Sequence, residues 1–298
     1  MKRKVIQIAE STQLVSLPRK WCIAHGLKKG DEVEVEEHGN KIQISTTKDA
    51  LLETAKLHFS SADQFLQRPL MTFYRMGYDQ VEITFDDPKV ISHIQKETER
   101  LMGFEIVSQT ERSCVVKNVA AALDTEFENI LRRIMRMLVE MAKDTAEALS
   151  KKNYDNMEEI TKRERLNNKL TIFCERILNK KGYSDHKRLT FVYYIVCNLE
   201  HLADNLSDIC NYCIKNEPKV MPATIKLVKE LTHLIEQMYG LFYTFSIENL
   251  QAFKKRHTAI EREVQSLFVT AKKDELPLLQ AIWMSTEKLR HMSAYCIS

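Results

Sequence analysis

An apolar stripe near residue 130 returns 97 residues further along the chain. Ile130, Leu131, Ile134, Leu138 and Met141 match Leu227, Val228, Leu231, Ile235 and Met238, position for position. The same offset pairs Glu164 and Arg165 with Glu261 and Arg262, and Leu170 with Leu267. A third stretch keeps the likeness at an offset of 87, pairing Ile195, Glu200 and Leu202 with Ile282, Glu287 and Leu289. From Phe127 onward these spacings place apolar residues on one face of an α-helix. The change of ten in the offset fits a longer connection in the first half, around Asn179 to His186. The segment from Asn216-Glu217-Pro218 to Pro222 divides the halves. A repeat of this size buries its stripe against its neighbour. Residues 119–298 are therefore predicted to form a six-helix bundle of two three-helix repeats, 119–215 and 218–298.

Glycine sets the remainder apart. Five of the seven glycines (26, 30, 39, 77 and 103) fall in the first 103 residues, where tight turns and strands are expected. In residues 1–48, Val5, Ile6 and Ile8 and then Leu14, Val15 and Leu17 read as two short strands. Pro18 to His25 reads as a short helix, with proline at its start and Gly26 past its end. Val33, Val35, Ile42 and Ile44 alternate on either side of His38-Gly39-Asn40, the pattern of a β-hairpin. So few strands cannot enclose a core alone, which predicts dimerisation. Residues 50–118 read as a small αβ module. A helix is expected from about Ser61 to Met76, interrupted at Pro69, followed by a strand at Val81 to Phe85. Asp87-Pro88 opens a helix reaching Met102 and stopped by Gly103. Strands at Phe104 to Ser108 and Ser113 to Lys117 follow. The module carries no catalytic constellation. The fold class expected is multi-domain α+β.

Composition narrows the function. Seven Gly and six Pro in 298 residues are few for a Rossmann enzyme or a β-sandwich. Forty-four Lys+Arg against 41 Asp+Glu leave +3, so overall charge favours no acidic partner. The longest strongly apolar run, Leu189 to Cys197, falls well short of the ~20 residues that cross a bilayer, so no membrane insertion is expected. The basic N-terminus lacks the apolar segment of a signal peptide. Seven cysteines spread through the chain suit free thiols in a reducing cytoplasm.

Two stretches carry a family resemblance. Leu14-Val15-Ser16-Leu17-Pro18-Arg19-Lys20-Trp21, then Leu27-Lys28-Lys29-Gly30-Asp31-Glu32-Val33, resembles the SpoVT/AbrB swapped-hairpin DNA-binding domain. Glu200-His201-Leu202-Ala203-Asp204, with its counterpart Glu287-Lys288-Leu289-Arg290-His291, resembles the PhoU family of phosphate-uptake regulators. The combination is similar to archaeal PhoU-like regulators with an AbrB-type head. It implies a homodimer paired through the N-terminal hairpins, a head on double-stranded DNA and a helical body that senses a signal or partner. The function implied is a cytoplasmic, non-enzymatic transcriptional regulator of phosphate uptake and homeostasis. The alternative is an adaptor whose body binds a phosphate transporter subunit or sensor kinase, with the head serving only dimerisation.

Local charge suits the DNA reading. Residues 1–29 hold seven basic side chains (Lys2, Arg3, Lys4, Arg19, Lys20, Lys28 and Lys29) against Glu10, a difference of +6. Residues 30–48 hold Lys41 and Lys48 against Asp31, Glu32, Glu34, Glu36 and Glu37, a difference of −3. A dimer doubles the basic patch, an electrostatic footprint for phosphate contacts. AbrB-type heads carry arginines in the first strand and in the turn before Leu-Pro. Gln7 and Ser11-Thr12-Gln13 stand there, so phosphate contact falls to Arg19, Lys20 and the Lys2–Lys4 cluster.

The PhoU resemblance also implies a metal cluster held by Glu/Asp-x-x-x-Asp motifs on neighbouring helices. Residues at i and i+4 share a helix face, and hard cations favour several oxygens. Glu200 and Asp204 keep the spacing, with Asp208 one turn on. Glu287 and His291 could ligate a transition-metal ion. Glu164 and Glu261 are further candidates, although Asn168 and Gln265 stand where the motif has Asp. Cys210-Asn211-Tyr212-Cys213 lacks the second pair that zinc needs and the strand-to-helix setting of a redox motif, so core thiols are expected. A carboxylate-bridged oxidase needs Glu-x-x-His pairs on facing helices, which the spacings Glu-x-x-x-Asp and Glu-x-x-x-His do not supply, and no Gly-rich phosphate loop appears.

Overall fold

The structure is a computed structural model, described for all residues except 9–10, 39–40, 47–52, 62–66, 121–125 and 298. The chain is multi-domain and α+β, with contacts dividing it into two compact units, Met1–Thr54 and Ala55–Ser298.

In the first unit, β1 (Ile6–Ile8) pairs antiparallel with β2 (Thr12–Leu14), Ile6 opposite Leu14. Val15 and Leu17, expected in the second strand, lie beyond it. Pro18 cannot donate to a ladder, and the chain turns there into α1 (Arg19–Ala24). Gly26 follows at φ +61, the left-handed stop expected. β3 (Val33–His38) and β4 (Lys41–Thr46) form the second hairpin, with Val35 opposite Ile44. Its turn at Gly39-Asn40 lies outside the described residues. This unit encloses little: α1 buries no residue. Val5, Ile6, Ile8, Leu14, Val15, Ile23, Val35 and Ile42 are all exposed.

The second unit opens with a four-stranded sheet, order β5-β6-β8-β7. It comprises β5 (Thr54–Phe59), β6 (Gln80–Phe85), β7 (Phe104–Gln109) and β8 (Ser113–Asn118). β6 buries Val81, Ile83 and Phe85, and β8 buries Cys114 and Val116, the period of two that fills one face. β5 is a strand not foreseen. Lys56 reaches Glu82 at 3.3 Å, His58 reaches Thr84 at 3.0 Å, and Asp86 N donates to Phe59 O at 3.0 Å. These partners advance together, so β5 runs parallel to β6, and α2 (Gln67–Arg75) is the crossover such a pair needs. Pro69 does not interrupt this helix. It sits in the first turn, where no N–H is required, while the expected start falls partly among residues 62–66, outside the described ones. α3 (Val90–Thr98) is shorter than expected. Arg100 N donates to Glu97 O and Leu101 N to Thr98 O, tighter i+3 bonds that close its end before Gly103.

The duplicated region forms α4 (Phe127–Lys151), α5 (Met157–Lys181), α6 (Leu189–Asn216), α7 (Pro222–Tyr243), α8 (Ile247–Thr270) and α9 (Leu276–Ser293). The stripe residues Leu131, Ile134, Leu138 and Met141, and their counterparts Val228, Leu231, Ile235 and Met238, are core. α4 packs on α7 and α6 on α9, so equivalent helices join the halves. α5 continues through Asn179 to Lys181, so the first-half connection begins only at Gly182, later than expected. Glu275, 1% exposed, accepts from Met221 N at 2.5 Å and so caps α7 from the other side of the second repeat.

The αβ module and the bundle share one unit, and α2 packs on α5. The chain leaves α2 through Gly77 at φ +98, where a Cβ would lie 3.0 Å from Lys180 Cβ. Gly77→Ala is expected to destabilise the protein by about 2 kcal/mol, from left-handed backbone strain plus that contact. An unchanged urea midpoint would show that the two elements have room to separate.

Candidate functional site

The seven candidate DNA contacts are all solvent-exposed. Lys2, Arg3 and Lys4 precede β1, Arg19 and Lys20 form the first turn of α1, and Lys28 and Lys29 lie in the turn that reaches Gly30. That turn is held by Asp31, whose carboxylate accepts from Lys28 N at 2.5 Å. The acid therefore holds the backbone and leaves the lysine head groups in solvent.

The carboxylates of the first repeat meet on the α5–α6 face. Glu164 and Asp204 are joined by Asn168, whose amide donates to both, to Asp204 at 3.3 Å. Glu200 turns to a residue that the spacing did not point to: Arg75, at the end of α2. Arg75 Nη2 lies 3.2 Å from Glu200, and its Nε lies 2.5 Å from Glu175 on α5. The second oxygen of Glu175 accepts from Cys197 Sγ at 3.2 Å. Asp208 is exposed and forms the outer end of the row.

Burial pushes the Glu200 carboxyl up to about 7, with Arg75 opposing and Glu175 and Asp204 reinforcing the rise. Burial also raises Glu164, Glu175 and Asp208. An acid whose folded pKa lies above its unfolded value holds its proton more tightly when folded. The stability it contributes is complete below its ordinary 4.5 and is lost as pH rises through about 7. Wild-type unfolding free energy is expected to fall by roughly 2–3 kcal/mol relative to Glu200→Gln between pH 5 and 8. Parallel pH profiles for the two proteins would reject that assignment.

The second repeat is closed differently. His257 on α8 is 4% exposed and lies between Glu261 at 3.9 Å and Glu287 at 3.6 Å. Burial holds its imidazole below the usual range, while both carboxylates pull it up. Arg290 takes Glu287 at 2.7 Å, and His291 is half-exposed at 4.0 Å from the same carboxylate. Gln265 is exposed. His257 carried no motif, being one histidine among nine.

These donors do not suit a metal cluster. Guanidinium and amide N–H groups already bond to Glu164, Glu175, Glu200, Asp204 and Glu287, competing for oxygens that a hard cation would need. Among the described residues, no three His, Cys, Asp or Glu side chains are grouped to hold a metal ion. All seven cysteines are free, and Cys210 and Cys213 are fully buried with thiols pushed up to about 11 and 12, as expected of inert core thiols. Among the described residues, no helix is long and apolar enough to cross a membrane.

Set against known proteins, residues 6–51 match the family described as antidote-toxin recognition MazE, bacterial antitoxin. The N-terminal unit thus resembles a MazE-type antitoxin domain over these residues. No curated protein matches the chain. Among solved structures, it is similar to the phosphate transport system regulatory protein PhoU from Streptococcus pneumoniae. That match has a TM-score of 0.46 and 13% identity, covering 59% of this chain and 93% of that one.

Proposed function

We propose that the chain is a dimeric, DNA-binding transcriptional regulator of phosphate uptake and homeostasis, cytoplasmic and without enzymatic activity. The observation that carries this reading is the MazE/AbrB-type head with seven exposed cations in its first half. The exposed apolar side chains of β1, β2, α1 and the second hairpin supply a face for a second copy, which a unit with so little core of its own requires. The link to phosphate rests on the likeness of Glu200 to Asp204, and of its duplicate, to the PhoU motif. In this reading the helical body receives the signal, from a phosphate-related ligand or from a transporter subunit or sensor kinase.

Selection from random duplex oligonucleotides at two salt concentrations tests it. A recovered motif is expected, lost on changing Arg19 and Lys20 together to Ala. No enrichment at either salt would sink the reading. A second reading is favoured by the protein-recognition role in the matched family's description and by the exposed apolar head: an adaptor that pairs through the head and binds no DNA. It predicts the blank selection.

A further inference from the structure

In each repeat of the helical body a guanidinium of the chain itself holds a carboxylate that the PhoU motif would give to a metal, and the two come from different places. In the first repeat the cation comes from outside the bundle. Arg75, on α2 of the αβ module, spans Glu175 and Glu200 through two different nitrogens. Its own carbonyl accepts from Asn179 of α5 at 2.8 Å, so backbone and side chain of one residue are both held by the bundle. In the second repeat no described residue of the module is involved. The imidazole of His257 and the guanidinium of Arg290 share Glu287 within α8 and α9. Two halves alike in their stripes have thus met the same charge requirement with different residues.

The physical reason favours the internal cation. Glu175 has a side chain 3% exposed, and a buried carboxylate without a partner is costly. A soluble divalent ion could neutralise it only by shedding water and finding several free oxygens. Arg75 arrives already tethered, with an effective concentration near the millimolar range or above, and its planar fork fits two carboxylates at once. A metal entering here would also leave a partly buried guanidinium unpaired.

We propose that the helical body is metal-free by construction: internal cations hold Glu175, Glu200 and Glu287, an amide bridges Glu164 and Asp204, and in the first repeat the cation, Arg75, is also one of the latches fixing the αβ module to the bundle. The proposal stands whether or not the head binds DNA. It differs from what the PhoU motif implies, because Glu200 and Glu287 are retained while their partner has changed.

The test uses the full-length chain without a histidine tag. Metal content is measured by mass spectrometry after dialysis, and Tm is followed with and without 1 mM Mn²⁺ or Zn²⁺. Wild type is expected to hold well under one metal per chain and to show no metal-induced rise in Tm. Arg75→Ala frees the carboxylates. It is expected to become more sensitive to protease in the αβ module and to gain about 5 °C or more in Tm with added metal. Arg75→Lys keeps a cation in place and is expected to stay metal-insensitive. A wild-type protein that carries about one metal or more per chain, lost on Glu200→Gln or Glu287→Gln, overturns the proposal. So does an Arg75→Ala protein unchanged in both protease sensitivity and metal response. Should that variant not fold, Arg75→Gln, which retains N–H donors without the charge, takes its place under the same criteria.

Discussion

Arg176→Ala is expected to cost about 3–5 kcal/mol of stability and to lower Tm by roughly 10 °C. Arg176 belongs to α5, yet its side chain lies inside the αβ module and is 1% exposed. Its Nη1 donates to Tyr74 O at 3.0 Å and Tyr78 O at 2.6 Å, and its Nη2 meets Asp79 at 3.2 Å. The guanidinium also stacks against Tyr74 and Phe104, 4.9 and 5.2 Å from their ring centres. Alanine removes the donors and leaves two carbonyls and a large gap; Lys180 still reaches Asp79 and limits the damage there. Arg176→Lys keeps the charge without the fork and should recover about half. Urea denaturation measures both. A loss below about 1 kcal/mol for alanine would mean that water or a neighbour takes over the carbonyls.

The second large effect concerns the head. If six or more phosphates are contacted, affinity for duplex DNA should fall by roughly a thousandfold between 50 and 200 mM salt. Changing Arg19 and Lys20 to Ala removes four cations from a dimer. This should flatten the slope of log affinity against log salt by about 3 to 4. Changing Lys28 and Lys29 should act alike if the turn before Gly30 also faces the backbone. Fluorescence anisotropy over a salt series reads all three proteins. A slope unchanged by either pair would place the phosphate contacts elsewhere.

The helical half was largely legible because its signal is repeated. A stripe such as Ile134, Leu138 and Met141 is ambiguous alone, but its return at Leu231, Ile235 and Met238 marks both as core. The second hairpin was legible for a local reason, alternation about a turn. β5 was missed although Thr54-Ala55-Lys56-Leu57-His58-Phe59 alternates three polar with three apolar residues; the small Ala55 weakens its apolar face, and its pairing with β6 forms across a helix. Helix ends went wrong where the last turn tightened, as at Thr98. The carboxylates were found by their i, i+4 spacing, but their partners were not. Arg75 meets Glu200 across 125 residues and Arg176 meets Asp79 across 97, separations that no periodicity reports. One signal was present: Glu175-Arg176 interrupts the apolar run from Ile172 to Leu178, and charges so placed on a buried helix need partners from another element.

Adjacent residues trade places across the contact of α2 with α5: Tyr74 and Arg75 receive Arg176 and Glu175. This exchange bears on how the protein comes apart. Neither side can leave without stranding a charge of the other, so the sheet and the six helices should melt in one cooperative transition. The head, whose apolar side chains are exposed in the single chain, should melt in a separate step if, as proposed, a second copy covers them. Mass action would then move that step upward with protein concentration and leave the larger transition where it is.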